Sequence, residues 1–129
     1  MDGAFLFRRN MWSRNNQASI ERNQRRLDAG IMAENYPEVA RIVISMEYKQ
    51  KGVTNPVSRT INFFPGSYAL FRLDCLSNDC VDGGFDLTQI ISSMIRNHSR
   101  QIKGKLACDD SGPRADHSAI EYDIQILFS

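Results

Sequence analysis

Apolar and polar residues alternate in two long stretches of the chain. In residues 40–49 the apolar positions include Ile42 and Ile44, and residues 118–128 show the same spacing of every second residue. Successive side chains of a strand point to opposite faces, so this spacing gives each stretch one face for a core and one for solvent. We therefore predict a half-buried strand in each stretch.

Two more stretches between them have extended character. Residues 57–64 follow the turn residues Gly52, Asn55 and Pro56, which predict a hairpin with the first strand. Residues 67–75 alternate again after a second turn sequence, Pro-Gly, and predict a third strand. Because short connections join neighbouring strands, these three strands are expected to form an antiparallel meander.

Helical spacing of apolar residues appears twice. Residues 17–35 predict a first helix that Pro37 ends, since proline disfavours helical geometry in the residue before it. Residues 87–103 predict a longer amphipathic helix, with Asp86 as its cap and Gly104 as its stop. A short edge strand is predicted to follow at residues 105–108.

The predicted order is therefore α-β-β-β-α-β, which indicates an α+β fold. In this fold the long helix packs on an antiparallel sheet made of the three-strand meander and the C-terminal strand. Residues 1–16 show no clear period and are interpreted as an N-terminal arm, which leaves residues 17–129 as a single domain.

Composition narrows the class of protein. The chain has 129 residues, of which 42% are hydrophobic and 24% charged, which fits one globular domain and excludes disorder or a multidomain enzyme. Its three cysteines are an odd number, which favours a reducing compartment and predicts a cytoplasmic protein. The apolar runs are too short for a membrane span, and the N-terminal residues lack the pattern of a secretory signal.

Candidate chemistry centres on the cysteines. Cys75 and Cys80 lie five positions apart across a loop rich in glycine and aspartate, Cys108 follows the long helix, and His117 precedes the last strand. If these side chains converge, they provide the donor set of a tetrahedral Cys3His zinc site. A loop with so little apolar content gains from a metal, because packing alone cannot hold it. Zinc is the one cofactor that the sequence suggests.

Other interpretations of these residues remain open. Reduced cysteines are often small core residues, and Cys75 continues the apolar face of its strand. A disulfide or redox pair between Cys80 and either Cys75 or Cys108 is a second alternative. A third is a thiol enzyme in which Cys80 is the nucleophile and His98 or His117 the base. The aspartates of the loop oppose this last alternative, because negative charge raises the pKa of a thiol.

Basic residues are concentrated in the N-terminal part of the chain. Residues 1–72 carry a formal charge of +5 and residues 73–129 one of −4. Phosphate contacts require such a concentration of positive charge, so this part predicts a nucleic-acid-binding surface as an alternative function. A helix face that is simply solvated by its charges is the competing interpretation. The arginines concerned are Arg8, Arg9, Arg14, Arg22, Arg25 and Arg26.

The sequence contains no recognisable catalytic motif and no motif that identifies a family. We therefore expect a small non-catalytic binding or structural module with a macromolecular partner, and the question of enzymatic activity stays open. Self-association also stays open, because the predicted sheet has at least one edge strand that another chain can pair with.

Overall fold

The computed structural model describes most of the chain, and its described residues are 19–77, 80, 83–109 and 117–129. The elements in chain order are α1 (residues 19–29), α2 (Met32–Asn35), β1 (Val39–Gln50), β2 (Val57–Phe63), β3 (Arg72–Asp74), β4 (Gly84–Asp86), α3 (Thr88–Arg96), β5 (Gln101–Ala107) and β6 (Ser118–Phe128). None of the helices formed by these residues combines the length and apolar character needed to cross a membrane.

The main sheet has four antiparallel strands in the order β2-β1-β6-β5. Its centre is the long pairing of β1 with β6, in which Ile44 lies opposite Ile124 and Ile42 opposite Ile126. All four side chains are almost completely buried. The alternation in the two stretches thus places their apolar faces on the same side of one sheet.

Helix α3 contributes to the same hydrophobic core. Its buried side chains, Ile91, Met94 and Ile95, belong to one cluster with the isoleucines of β1 and β6. Phe71 and Phe85 complete this cluster from the segments around β3 and β4. The sheet, α3 and the β3–β4 hairpin therefore share a single core, which confirms the predicted α+β class.

The third predicted strand does not join the main sheet. Only Arg72–Asp74 of the predicted residues 67–75 is a strand, and it pairs with Gly84–Asp86 in a separate two-stranded sheet. A meander would place the third strand beside β2, but among the described residues β2 is an edge of the main sheet, and the second neighbour of β1 is β6. The sequence pattern was right about the buried face, since Phe71, Leu73 and Cys75 are buried, but it carries no information on the pairing partner.

The second predicted helix is shorter than expected. It ends at Arg96 instead of residue 103, because His98 adopts a positive φ of 52°. The amide of Ser99 then donates to the carbonyl of Met94, and that of His98 to the carbonyl of Ile95, which is the hydrogen-bond pattern of a Schellman cap. Histidine replaces the usual glycine there, so the amino-acid pattern contains no stop signal at this point.

The residues predicted to extend that helix belong to β5. Ile102 faces Ile124 of β6, and Gly104 faces Tyr122. Gly104 therefore lies in the middle of a strand and does not end a helix. The predicted edge strand at 105–108 is real but begins earlier, at Gln101. The predicted cap is displaced by one residue, because Leu87 holds the N-cap position of α3 and Asp86 is the last residue of β4. The carboxylate of Asp86 still accepts from the amide of Thr88, the first residue of the helix.

The first helix is also interrupted. Gly30 takes a positive φ of 74° and separates α1 from α2, whereas the apolar spacing predicts one helix over residues 17–35. After this break Ile31 forms a bridge with Tyr68, and the amide of Met32 donates to the carbonyl of Ser67. The predicted arm, residues 1–16, lies outside the described residues.

Candidate metal centre

Two hairpins bring the three cysteines and His117 together. Cys75 directly follows β3 and Cys80 lies in the loop to β4, while Cys108 directly follows β5 and His117 directly precedes β6. Each hairpin therefore supplies two side chains from its loop end. The convergence expected from the sequence is present, although it arises from the β5–β6 hairpin and not from pairing of the last strand with the third.

The side chains meet closely enough to share one ion. Their sulfur and nitrogen atoms all lie within 4.8 Å of one another. Cys75 Sγ is 3.3 Å from His117 Nε2, and Cys80 Sγ is 3.7 Å from Cys108 Sγ. Cys75 and Cys108 are buried, whereas Cys80 and His117 are partly exposed. All three cysteines are free thiols.

Cys75 has the most polar surroundings of the three. Its sulfur lies 3.2 Å from the hydroxyl oxygen of Ser118 and 3.6 Å from that of Tyr48. Burial raises the pKa of Cys75, but hydrogen bonds from Ser118, the Ser77 backbone, Tyr48 and His117 outweigh it and lower the pKa to about 6. Burial and the bond to Cys75 raise the pKa of Tyr48 to about 12, so its hydroxyl keeps its proton.

Cys80 has the opposite electrostatic character. Burial and its contacts with Cys108 and Cys75 raise its pKa to about 12. With this pKa Cys80 is a protonated thiol at neutral pH, which is unfavourable for a nucleophilic role. A Zn²⁺ ion would reverse this preference, because a coordinating thiol loses its proton.

Backbone hydrogen bonds tie the two hairpins to each other beside the cluster. The amide of Cys75 donates to the carbonyl of Gly83 within the first hairpin, and the amide of Cys108 donates to that of Ser118 within the second. Between the hairpins, the amide of Asp109 donates to the carbonyl of Gly84. These hydrogen bonds hold the two ends that carry the cysteines next to each other.

An ion pair reinforces this contact between hairpins. The guanidinium of Arg72 donates to both carboxylate oxygens of Asp109, at 2.6 and 3.1 Å. The same carboxylate accepts from the amide of Gly84 at 2.8 Å. These contacts lower the pKa of Asp109, Arg72 being the main cause. Asp109 therefore links β3, β4 and the end of β5 through one side chain.

The other predicted site residues lie elsewhere. His98 is at the end of α3, where its ring packs against Phe128 with ring centres 4.9 Å apart, so it is not part of the cysteine cluster. Arg22, Arg25 and Arg26 lie on α1, which is largely exposed. The remaining arginines of the predicted basic surface, Arg8, Arg9 and Arg14, are outside the described residues.

Sequence reasoning missed the polar side chains around the cluster. The alternation assigns Tyr48 to the buried face of β1 as an apolar residue, and Ser118 only to the start of the last strand. Ser118 is almost fully buried, a place where serine needs a polar partner. Its position next to His117 is the one available signal, whereas the contact of Tyr48 with Cys75 joins residues far apart in sequence.

Comparison of the chain with models of protein families, with curated protein sequences and with solved structures gave no significant match. Function is therefore inferred from the geometry of this cluster.

Proposed function

We propose that the protein is a small non-catalytic binding or structural module in which Cys75, Cys80, Cys108 and His117 bind a structural Zn²⁺ ion. The observation that carries this proposal is that one sulfur or nitrogen atom from each residue lies within 4.8 Å of all the others. The ion would connect the β3–β4 hairpin to the β5–β6 hairpin.

The distances fit tetrahedral zinc. With Zn–S near 2.3 Å and Zn–N near 2.0 Å, two sulfurs of a tetrahedral site are about 3.8 Å apart, and a sulfur and a nitrogen about 3.5 Å apart. The Cys80–Cys108 separation is 3.7 Å and the Cys75–His117 separation 3.3 Å. Only small movements would bring the four atoms to ideal positions.

The donor set favours zinc over other metals. Thiolate sulfur is a soft ligand, whereas Mg²⁺ and Ca²⁺ select carboxylate and carbonyl oxygen. Three thiolates and a neutral imidazole would leave a net charge of −1 on the complex. Hydroxyl groups from Ser118 and Tyr48 beside the sulfur of Cys75 support that charge as outer hydrogen-bond donors.

Four protein ligands make a closed site. A catalytic zinc keeps one position for water or substrate, while a structural zinc is fully coordinated by the protein. The β3–β4 hairpin has only three residue pairs, so it gains the most from an added connection. This argues for a stabilising role of the ion and against a role in catalysis.

A disulfide is the less favourable use of the same residues. The sulfur atoms of Cys80 and Cys108 are 3.7 Å apart, but a disulfide requires about 2.05 Å. Forming it would pull two ligands out of positions that suit a shared ion. Zinc binding uses the four side chains nearly where they lie.

Metal analysis of the full chain, purified without an affinity tag, tests the proposal. We expect about one equivalent of zinc, and replacement by Co²⁺ should give the absorption of a tetrahedral thiolate site. His117→Asn should lower the zinc content several-fold. His98→Asn is the matched control, because it changes the other histidine of the chain, and asparagine tolerates the positive φ at this position.

The control variant should keep its zinc. Wild-type protein with less than about a tenth of an equivalent of zinc after expression in zinc-supplied medium, and with no cobalt spectrum, would contradict the proposal. So would equal zinc contents in the two histidine variants. Circular dichroism checks that each variant is folded, so loss of metal can be distinguished from loss of structure.

A further inference from the structure

A second cluster lies between α1 and β3, apart from the cysteines. It surrounds a cavity of about 80 Å³. Four of its six lining residues are arginines. Three of these arginines lie on α1, and the fourth, Arg72, lies in β3. The lining residues are Arg22, Arg25, Arg26, Leu70, Arg72 and Asp74.

The arginines that line the cavity bring several positive charges close together. Arg25 and Arg26 follow Arg22 by three and four positions on one helix, a spacing at which like charges are mutually destabilising. The fold adds Arg72 to the same cavity. Four arginines that line one small cavity repel each other, and this repulsion is relieved by nearby carboxylates or by a bound anion.

The nearby carboxylates that the structure describes neutralise only part of this charge. Arg22 lies 3.7 Å from Asp74, and Arg72 is held by Asp109. Within the described residues neither Arg25 nor Arg26 forms an ion pair. Counted over the part of the chain that the structure describes, the charges of the cluster sum to a positive value, and Asp109 orients one of its guanidinium groups.

We propose that this cavity binds a phosphoryl group. Arginine presents a planar fork of N–H donors that matches phosphate oxygens in pairs, and the strongest hydrogen bonds of this kind join two charged groups. The volume accommodates one such group and leaves no room for a larger ligand to be enclosed. The group belongs either to a small phosphorylated molecule or to the backbone of a nucleic acid, and both present the same oxyanion.

Occupancy of the cavity would also attach α1 to the domain. The apolar residues Ile20 and Leu27 of this helix are exposed, so apolar packing contributes little to its attachment. Its contacts with β3 include the Arg22–Asp74 pair and the walls of the cavity. We expect a bound phosphoryl group to slow hydrogen exchange of the amides in residues 19–29.

Binding of two probes to the full chain tests this site. Inorganic phosphate is titrated by NMR, and an oligothymidylate of about 16 nucleotides by fluorescence anisotropy. The test variant is Arg25→Gln/Arg26→Gln. Its affinity for whichever probe binds is expected to fall at least about tenfold, because each lost contact is a hydrogen bond between charged groups.

The control is Arg96→Gln/Arg100→Gln, which removes the same charge from exposed positions that do not line the cavity. It should change affinity by no more than about twofold, since neither side chain lines the cavity and charges in solvent are screened by salt. Exchange protection of residues 19–29 by phosphate should be lost in the test variant and kept in the control.

The two probes separate the sources of the phosphoryl group. Binding of the oligonucleotide, with a salt slope that corresponds to several phosphates and with displacement by inorganic phosphate, identifies a nucleic acid. Binding of phosphate alone identifies a small molecule. Failure of both probes to bind the wild type, or an equal loss of affinity in the two variants, would overturn the proposal.

Discussion

Ile44 and Ile124 lie opposite each other at the centre of the four-stranded sheet, whereas β3 and β4 are joined by only three residue pairs. The sheet is held by apolar side chains that are almost completely buried. We use the name cysteine end for the β3–β4 hairpin together with Cys80, Cys108, Asp109 and His117. This region is held by hydrogen bonds, an ion pair and the proposed zinc ligands.

The difference shows how one fold combines two sources of stability. Burial of apolar surface stabilises the strands of the sheet, each of which has at least seven residues. The cysteine end lies beside a loop of glycines and aspartates, and such a loop contributes little apolar surface. Phe85 and Leu73 still pack into the shared core, but directional contacts add to that packing at the cysteine end. The two regions should therefore respond differently to substitution.

The largest effect is expected at the centre of the sheet. Ile124→Ala should lower the free energy of unfolding by about 2–5 kcal/mol, because it leaves a cavity in a fully buried position. Leu127→Ala, on the opposite and exposed face of β6, should change it by less than about 0.5 kcal/mol. Urea denaturation measures both values. Similar losses in the two variants would contradict the assignment of the faces.

An intermediate effect is expected at Gly104. A Cβ atom at this position would collide with the ring and hydroxyl of Tyr122, so Gly104→Ala should destabilise the protein by about 1–3 kcal/mol. In a Tyr122→Ala background the collision is absent, and the same change should be neutral or stabilising. A double-mutant cycle by urea denaturation tests this coupling, and additive effects would show that the two residues do not interact.

The smallest change in the free energy of unfolding is expected for a substitution at the cysteine end. Arg72→Lys replaces the fork that binds Asp109 with a single ammonium, and the loss should be below about 1 kcal/mol because Asp109 is 47% exposed. Hydrogen exchange should become faster at the amides of Gly84 and Asp109 and stay unchanged in β1 and β6.

Arg41→Lys is the matched control for this change. Arg41 donates two hydrogen bonds to Asn62, across the β1–β2 pair of the main sheet. Its replacement should leave exchange at the cysteine end unchanged. If both lysine variants accelerate exchange at Gly84, the Arg72–Asp109 pair has no particular role in joining the hairpins.

Much of the fold can be predicted from the sequence because the signals are local. Alternation of apolar residues predicts β1 and β6, and turn residues predict the β1–β2 hairpin. The predicted end of α3 is wrong because His98 takes the conformation that glycine usually supplies. The break at Gly30 is missed although glycine is a helix-ending signal there, because the helical spacing continues beyond it.

The candidate site can be predicted in its residues but not in its surroundings. Soft donor atoms on four residues are enough to suggest zinc. The hydroxyl groups of Tyr48 and Ser118 beside Cys75, and the link from Arg72 to Asp109, depend on which strands are neighbours. Likewise, three arginines of the cavity are close in sequence, but Arg72 joins them only through the fold.

Residue type and spacing are sufficient to predict the α+β class, the buried face of each long strand and the donor set of the candidate metal centre. They are not sufficient for the position of β6 between β1 and β5, the pairing of β3 with β4, or the meeting of two hairpin ends at the cysteines. The alternation of apolar and polar residues along a strand indicates which of its faces is apolar. The choice of its partner depends on how all the apolar faces of the chain can be buried together.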